Sequence, residues 1–294
     1  MAIAEPALLV GAGRSSTGRA TAGRLSRLRG LGRVEKAGLV VLLTLTLVAL
    51  LGPLLSPYGA DQPLAAGPLT APGHGSLLGT DELGRDLLSR SLSGVRSTWL
   101  AALAVVASGI VIGGLVGLIA AVSGGLVDTL LMRLTDLFLA LPGPVLAIVA
   151  VVALGPSLPH TLLAVGVVWW PWYARIVRGE IRALLARPHV DAARLAGVGP
   201  VRLARRHLLP GAVPAILVTA SLDVGNLVLT LAGLSFLGLG APPPSPELGG
   251  MTASGLTYLF GQPWVALVPA TAVFLLALAA NLAGDGVRDL LDTV

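Results

Sequence analysis

The sequence predicts an all-α integral membrane protein with six transmembrane helices, and three observations carry that expectation. Hydrophobic residues make up 54% of the 294 and charged residues only 12%, whereas a soluble domain is about one-quarter charged. The mean hydropathy is +0.85. The apolar residues are mainly Ala, Val and Leu, with 4% aromatic, and they form runs near the roughly 20 residues that a bilayer core requires. Alternating strands of the barrel type are absent. Helices are the remaining way to satisfy backbone groups in lipid.

Residues 1–36 carry Arg14, Arg19, Arg24, Arg27, Arg29, Arg33 and Lys36 among Gly, Ser and Ala. They read as a basic, disordered tail rather than a signal peptide, since the next apolar run is of spanning length. Residues 37–294 form the membrane domain. The first span is expected over about 37–55. A polar, turn-rich segment, 56–97, follows, and the second span is about 98–122. Its Gly109, Gly113 and Gly117 have the small-residue spacing that lets helices approach closely in lipid. Arg133 and Asp136 mark a polar turn. The third span is about 137–155, bent near Pro142 and Pro144. The fourth is about 159–174 and ends in Trp169, Trp170, Trp172 and Tyr173, which read as an interfacial belt. The loop 175–210 precedes a fifth span at about 211–237. A Pro-rich loop, 241–246, separates it from the sixth, about 264–283.

Six spans put both termini on one side. That side then holds the tail, the 175–210 loop, Arg133 and Arg288, in all 17 of the 20 basic residues. The positive-inside rule makes it cytoplasmic. Topology therefore accounts for the net charge of +5, and nucleic-acid binding loses its main support. The absence of cysteine excludes disulfides, thiolate metal sites and a cysteine nucleophile.

The loop segment DAARLAGVGPVRLARRHLLP, 191–210, has the local signals of an elbow. Pro188 suits a first helical turn, and Asp191 near it favours the positive end of the helix dipole. Ala192, Ala193, Arg194, Leu195 and Ala196 are good helix formers. Gly197 supplies a C-terminal cap and Gly199-Pro200 redirects the chain. A second short helix, about 201–208, is expected to end at Leu209-Pro210.

This segment resembles the coupling motif of ABC-importer permeases, E-A-A-x3-G-x9 followed by a hydrophobic position, any residue, and Leu-Pro. Asp191 stands for the Glu. Ala192, Ala193, Gly197, Leu209 and Pro210 match, and His207 takes the hydrophobic position. Three further stretches resemble the C-type permease subunits of dipeptide, oligopeptide and nickel importers. They are LLGTDELGRDLLSR at 77–90, LSFLGLGAPPPSP at 234–246 with Gly249, Gly250 and Met251, and the terminal Asn281, Gly284-Asp285-Gly286 and Arg288-Asp289. Leu231 and Leu248 depart from the Glu and Trp common at those places. The resemblance covers about 35–292.

The resemblance implies a type I ABC-importer permease fold in the bacterial cytoplasmic membrane. It implies a homologous second permease, two ATPase subunits on the elbows, and an extracellular or periplasmic substrate-binding protein. Cofactors are expected on the partners alone, as ATP and Mg bound by the ATPase subunits. The chain's only lysine, Lys36, is not in a phosphate-binding loop. Peptides are the implied cargo, with nickel or another small ligand as the alternative. A stand-alone secondary transporter would show inverted repeats or several charges within spans, and a membrane enzyme would show converging catalytic groups. Neither pattern is present, so the chain is not expected to be an enzyme.

Two groups remain. Asp223 and Asn226 lie inside the fifth span, where a central charge costs about 2.5–3.5 kcal/mol on insertion scales. They either line a translocation path or pair with polar groups that fix packing. Gly79, Thr80, Asp81, Gly84, Arg85 and Asp86 form the external motif. It reads as a structural element, because its carboxylates lack the spacing of a calcium loop. His74, His160, His189 and His207 likewise have no ligand spacing.

Overall fold

A computed structural model describes residues 33–292. The basic tail expected over 1–36 falls outside the described residues except for its last four. Those four begin α1, Arg33–Leu55. After it come α2, Leu87–Ser123; α3, Gly125–Leu139; α4, Gly143–Leu154; and α5, Leu158–Leu185. Next are α6, Pro188–Leu195; α7, Pro200–Leu203; α8, Leu209–Phe236; α9, Leu248–Gly255; and α10, Trp264–Asp292. The β pairing among the described residues is two single bridges, Pro63 with Arg85 and Thr80 with Asp86.

By length and composition, three helical stretches can cross a membrane: Leu87–Ser123, Pro200–Phe236 and Trp264–Asp289. The pair α3–α4, bent by 84°, makes a fourth if it counts as one span. In α1 the apolar part is Val40–Leu55. Helix α5 has 28 residues, about 42 Å at 1.5 Å per residue, but its second half carries Arg175, Arg178, Glu180 and Arg182.

Several helices outrun the expected spans. Helix α2 starts at Leu87 rather than near residue 98, because Asp86 caps it by accepting from the Ser89 N–H. Arg133 and Asp136 do not form a turn; they lie within α3. The turn falls earlier, at Gly124 and Gly125, whose φ values of +62° and +52° suit glycine. Helix α5 continues past Tyr173 to Leu185, so 175–185 belongs to a helix and not to a loop. Helix α10 runs nine residues beyond the expected end.

Helices α2 and α5 pack most intimately. A Cβ at Gly113 or Gly117 would collide with the carbonyl oxygens of Trp170 and Ala174, and one at Gly109 would meet the Tyr173 ring. Close backbone approach is what small residues permit where lipid removes the hydrophobic drive between helices. The main core joins Trp99, Val105, Tyr173, Leu227, Leu231 and Leu276, from α2, α5, α8 and α10. A second core joins Ala121, Val177, Ile181, Leu184, Val190, Leu203, Leu208 and Ala212. It binds the ends of α2 and α5 to α6, α7 and the start of α8.

Candidate functional site

The elbow is the first element to build. Pro188 occupies the first turn of α6 and Asp191 lies in that turn, as the sequence predicts. At the other end, Gly197 has φ +79°. Its N–H donates to the Arg194 carbonyl at 2.9 Å, and the Val198 N–H donates to the Ala193 carbonyl at 3.1 Å. This is a Schellman closure, which satisfies two of the helix's terminal carbonyls. Ala193 and Val198 both pack on the second core.

The chain then does not stop at Leu209-Pro210. Helix α7, a π turn over Ala204–Leu208 and α8 form one continuous helix. Proline at 210 has no N–H for the Arg206 carbonyl, and its ring would crowd that oxygen in an α-helix. The preceding turn widens instead, with the Leu209 N–H donating to Ala204. Such a bulge lets a helix pass a proline.

The elbow has an inner and an outer face. Val190, Leu203 and Leu208 are buried. Asp191, Ala192, Arg194, Val201, Arg202, Arg205 and Arg206 are exposed. Leu195 is 91% exposed and Val201 71%, a pair of apolar prongs among arginines. Asp191 and Arg194 form an exposed ion pair at 3.4 Å. The structure also brings His207 to the His189 ring, with centroids 6.4 Å apart.

Asp223 is the second element. Its Oδ2 accepts from Trp169 Nε1 at 2.5 Å and from Tyr173 Oη at 3.0 Å. Both donors come from α5. The aromatic cluster is therefore not simply a lipid-facing belt: Trp170 and Tyr173 are buried, and Trp172 is the exposed member. The rotation of α5 about its axis decides this. Asn226, one turn along α8, is exposed, and no hydrogen bond reaches its side-chain amide among the described residues.

The third element is the segment expected outside. Asp81 Oδ1 accepts from the Leu83 and Arg85 N–H groups, both at 2.9 Å, and Oδ2 accepts from Arg85 Nε at 2.7 Å. Asp86 takes the Ser89 N–H and hydroxyl on Oδ2, and Ser76 binds its Oδ1. Arg90 reaches Ala60 O, Asp61 and Pro244 O. Thr80, Asp81, Arg85 and Asp86 are all buried. Gly79 and Gly84 both have positive φ. The motif thus folds 56–86 back onto the start of α2 and ties in the 241–247 loop, with its charges satisfied internally.

Two features escaped the sequence reading. Glu247, before α9, accepts the Ala241 N–H at 2.6 Å. Burial pushes its carboxyl above the usual glutamate range, and the bonds from Ala241 and Ser235 partly oppose that. Asp128 of α3 binds Arg178 through two nitrogens, at 2.5 and 2.7 Å, and Arg182 at 2.5 Å. These partners are 50 and 54 residues away, and nothing local in the sequence marks them. The i, i+4 pair of arginines was the available signal.

The profile of the family described as binding-protein-dependent transport system inner membrane component matches residues 109–293. The probable D,D-dipeptide transport system permease of Escherichia coli K12 is 39% identical over 253 residues, 86% of this chain and 85% of that one. The di/tripeptide transport system permease of Pseudomonas aeruginosa is 41% identical, covering 87% and 86%. The nickel transport system permease of E. coli K12 is 38% identical, covering 87% and 93%. Among solved structures, an inward-facing MetNI methionine ABC transporter chain aligns with a TM-score of 0.54 at 25% identity, over 69% of this chain and 96% of that one.

Proposed function

The chain belongs to the family of inner-membrane components of binding-protein-dependent transport systems, and from that premise we propose that it is the peptide-conducting permease of an ATP-driven importer. The observation that carries the cargo assignment is the 39–41% identity to two peptide permeases over 86–87% of the chain. Nickel is the second reading, because a nickel permease is 38% identical over the same share.

In this reading the chain pairs with a homologous permease. Two ATPase subunits, which hold the ATP and Mg, dock on the outer face of the elbow in each permease. An outside binding protein delivers cargo. Leu195 and Val201 are apolar contacts for a groove in the ATPase, and the surrounding arginines suit an acidic rim. Asp191, Ala192, Ala193, Gly197, His207, Leu209 and Pro210 build the coupling element. The tail, the elbow and both termini face the cytoplasm, and α1 and α5 complete six crossings. The face of α8 that bears Asp223 and Asn226 lines the path; an exposed amide in an otherwise apolar span supports that placement.

Movement then has a defined route. Closure of the ATPases displaces the elbow. The second core joins the elbow to α5, α2 and α8, so these ends move as one body and alternate the access of the path.

The test is reconstitution with a partner permease, ATPase subunits and a binding protein that copurify with it. Uptake of a radiolabelled dipeptide with stimulated ATP hydrolysis is the expected result. Uptake of radioactive nickel with no dipeptide transport would replace the first reading with the second.

A further inference from the structure

Helix α3 is held to the bundle in an unusual way. Its buried residues are Asp128 and Thr135. Leu126, Val127, Leu130, Leu134 and Leu137 all point outward. An apolar helix in a membrane domain normally packs through small and apolar side chains. Here the contacts to α5 include three ion pairs. Asp128 engages Arg178 and Arg182. Two turns further, Asp136 engages Arg175 at 2.6 Å. The Phe138 ring meets Trp170 edge-on at 5.7 Å. The pairing runs antiparallel, with 128 against 178 and 182, and 136 against 175.

Both ends of α3 are joints. At one end stand Gly124 and Gly125, both at positive φ, with open space around each Cβ position. At the other the chain breaks over 140–142 and turns 84° into α4. Helix α3 is therefore a rod between two joints, clasped to α5 by its carboxylates. The arginines of the clasp stand just before the elbow. Ile181 and Leu184, on the same turns of α5 as Arg182, are buried in the second core against Val190 of α6.

We propose that Asp128 is a positioning residue that carries elbow displacement into the bent pair α3–α4, through Arg178 and Arg182. This rests on the elbow being the coupling element. When the elbow moves, α5 and its arginines move with it. Asp128 draws α3 along, and the joint at 140–142 converts that into a swing of α4. Without the carboxylate, α3 is left with the partly buried Leu131, Met132, Phe138 and Leu139 and no fully buried apolar side chain to follow with.

The chain has no cysteine, so no native thiol of its own competes with a pair of introduced spin labels. One pair joins Phe274 of α10 to Ala186 at the elbow. The other joins Phe274 to Val152 of α4, which is 66% exposed. Distances are measured in the whole complex with ATPase subunits, first without nucleotide and then with ATP and vanadate. In the wild type both distances shift. In Asp128→Asn the elbow distance still shifts and the α4 shift is lost. Exchanging the charges, Asp128→Arg with Arg178→Asp, restores it. An α4 shift that persists in Asp128→Asn overturns the proposal and leaves the elbow reading intact. A wild-type elbow that does not shift overturns both. If Asp128→Asn does not assemble, the exchange variant decides, and assembly recovered without the α4 shift overturns the proposal.

Discussion

The indole N–H of Trp169 donates to Asp223 Oδ2 at 2.5 Å, joining α5 to α8 across the middle of the bundle. The Tyr173 hydroxyl, one turn along α5, shares that oxygen at 3.0 Å. No cation forms an ion pair with Asp223 among the described residues. The carboxyl group is held by two neutral donors from α5, both on Oδ2.

Substitution at Asp223 and at its donors should therefore differ. Asp223→Asn keeps an acceptor for both donors, so assembly should persist while specific transport falls. Trp169→Phe removes a donor from a buried carboxylate, a loss of about 1–3 kcal/mol. It should lower the thermal midpoint of the purified complex. Loss of assembly in Asp223→Asn, with normal transport by what remains, would assign the residue to packing alone.

Orientation is checked by cysteine labelling with an impermeant reagent in intact cells. Ser76 is a poor outside probe, because its hydroxyl is buried against Asp86. Leu77, 71% exposed, and Ser245 are better positions and should label. Ala186 should not. Labelling at Ala186 reverses the topology.

Glu247 predicts a pH dependence. Its folded pKa is raised by burial, so its contribution to stability is full below the ordinary glutamate value of about 4.3. That contribution is lost as pH rises through the raised value. Glu247→Gln keeps an acceptor for the Ala241 N–H and removes the titration. Thermal midpoints of the wild type should fall with rising pH over this window relative to the variant. Parallel profiles would contradict the burial of an ionisable group there.

What the sequence made legible was local. The cap at Gly197, the first-turn Pro188 and the glycine spacing on α2 each depend on neighbours within a few residues, and each appears in the structure. The rest depends on distant partners. Asp128 reads as one acid in an apolar stretch until α5 brings two arginines to it. The helix passes Pro210 by a π turn, whereas Leu209-Pro210 read locally is a helix end. Trp170 and Tyr173 look like a belt because burial follows the rotation of α5, set by its contact with α2. The same limit applies to Asp223, whose partners lie 54 and 50 residues away.

The sharpest separation of local conformation from contact is at Gly197. A Cβ there meets nothing within 4 Å, so a substituent costs only its backbone conformation. At φ +79° that cost is about 1–2 kcal/mol for an ordinary L residue. Asn tolerates this conformation and substitutes at such caps. Gly197→Val should thus misdirect the turn between α6 and α7 while leaving the buried Val190 and the transmembrane packing in place. Membrane insertion stays normal, and ATPase docking and cargo-stimulated ATP hydrolysis fall. Gly197→Asn should retain most of that hydrolysis. The ordering Gly, then Asn, then Val follows from the dihedral angle alone. Equal stimulated hydrolysis in all three complexes would mean that 191–210 transmits nothing through this turn.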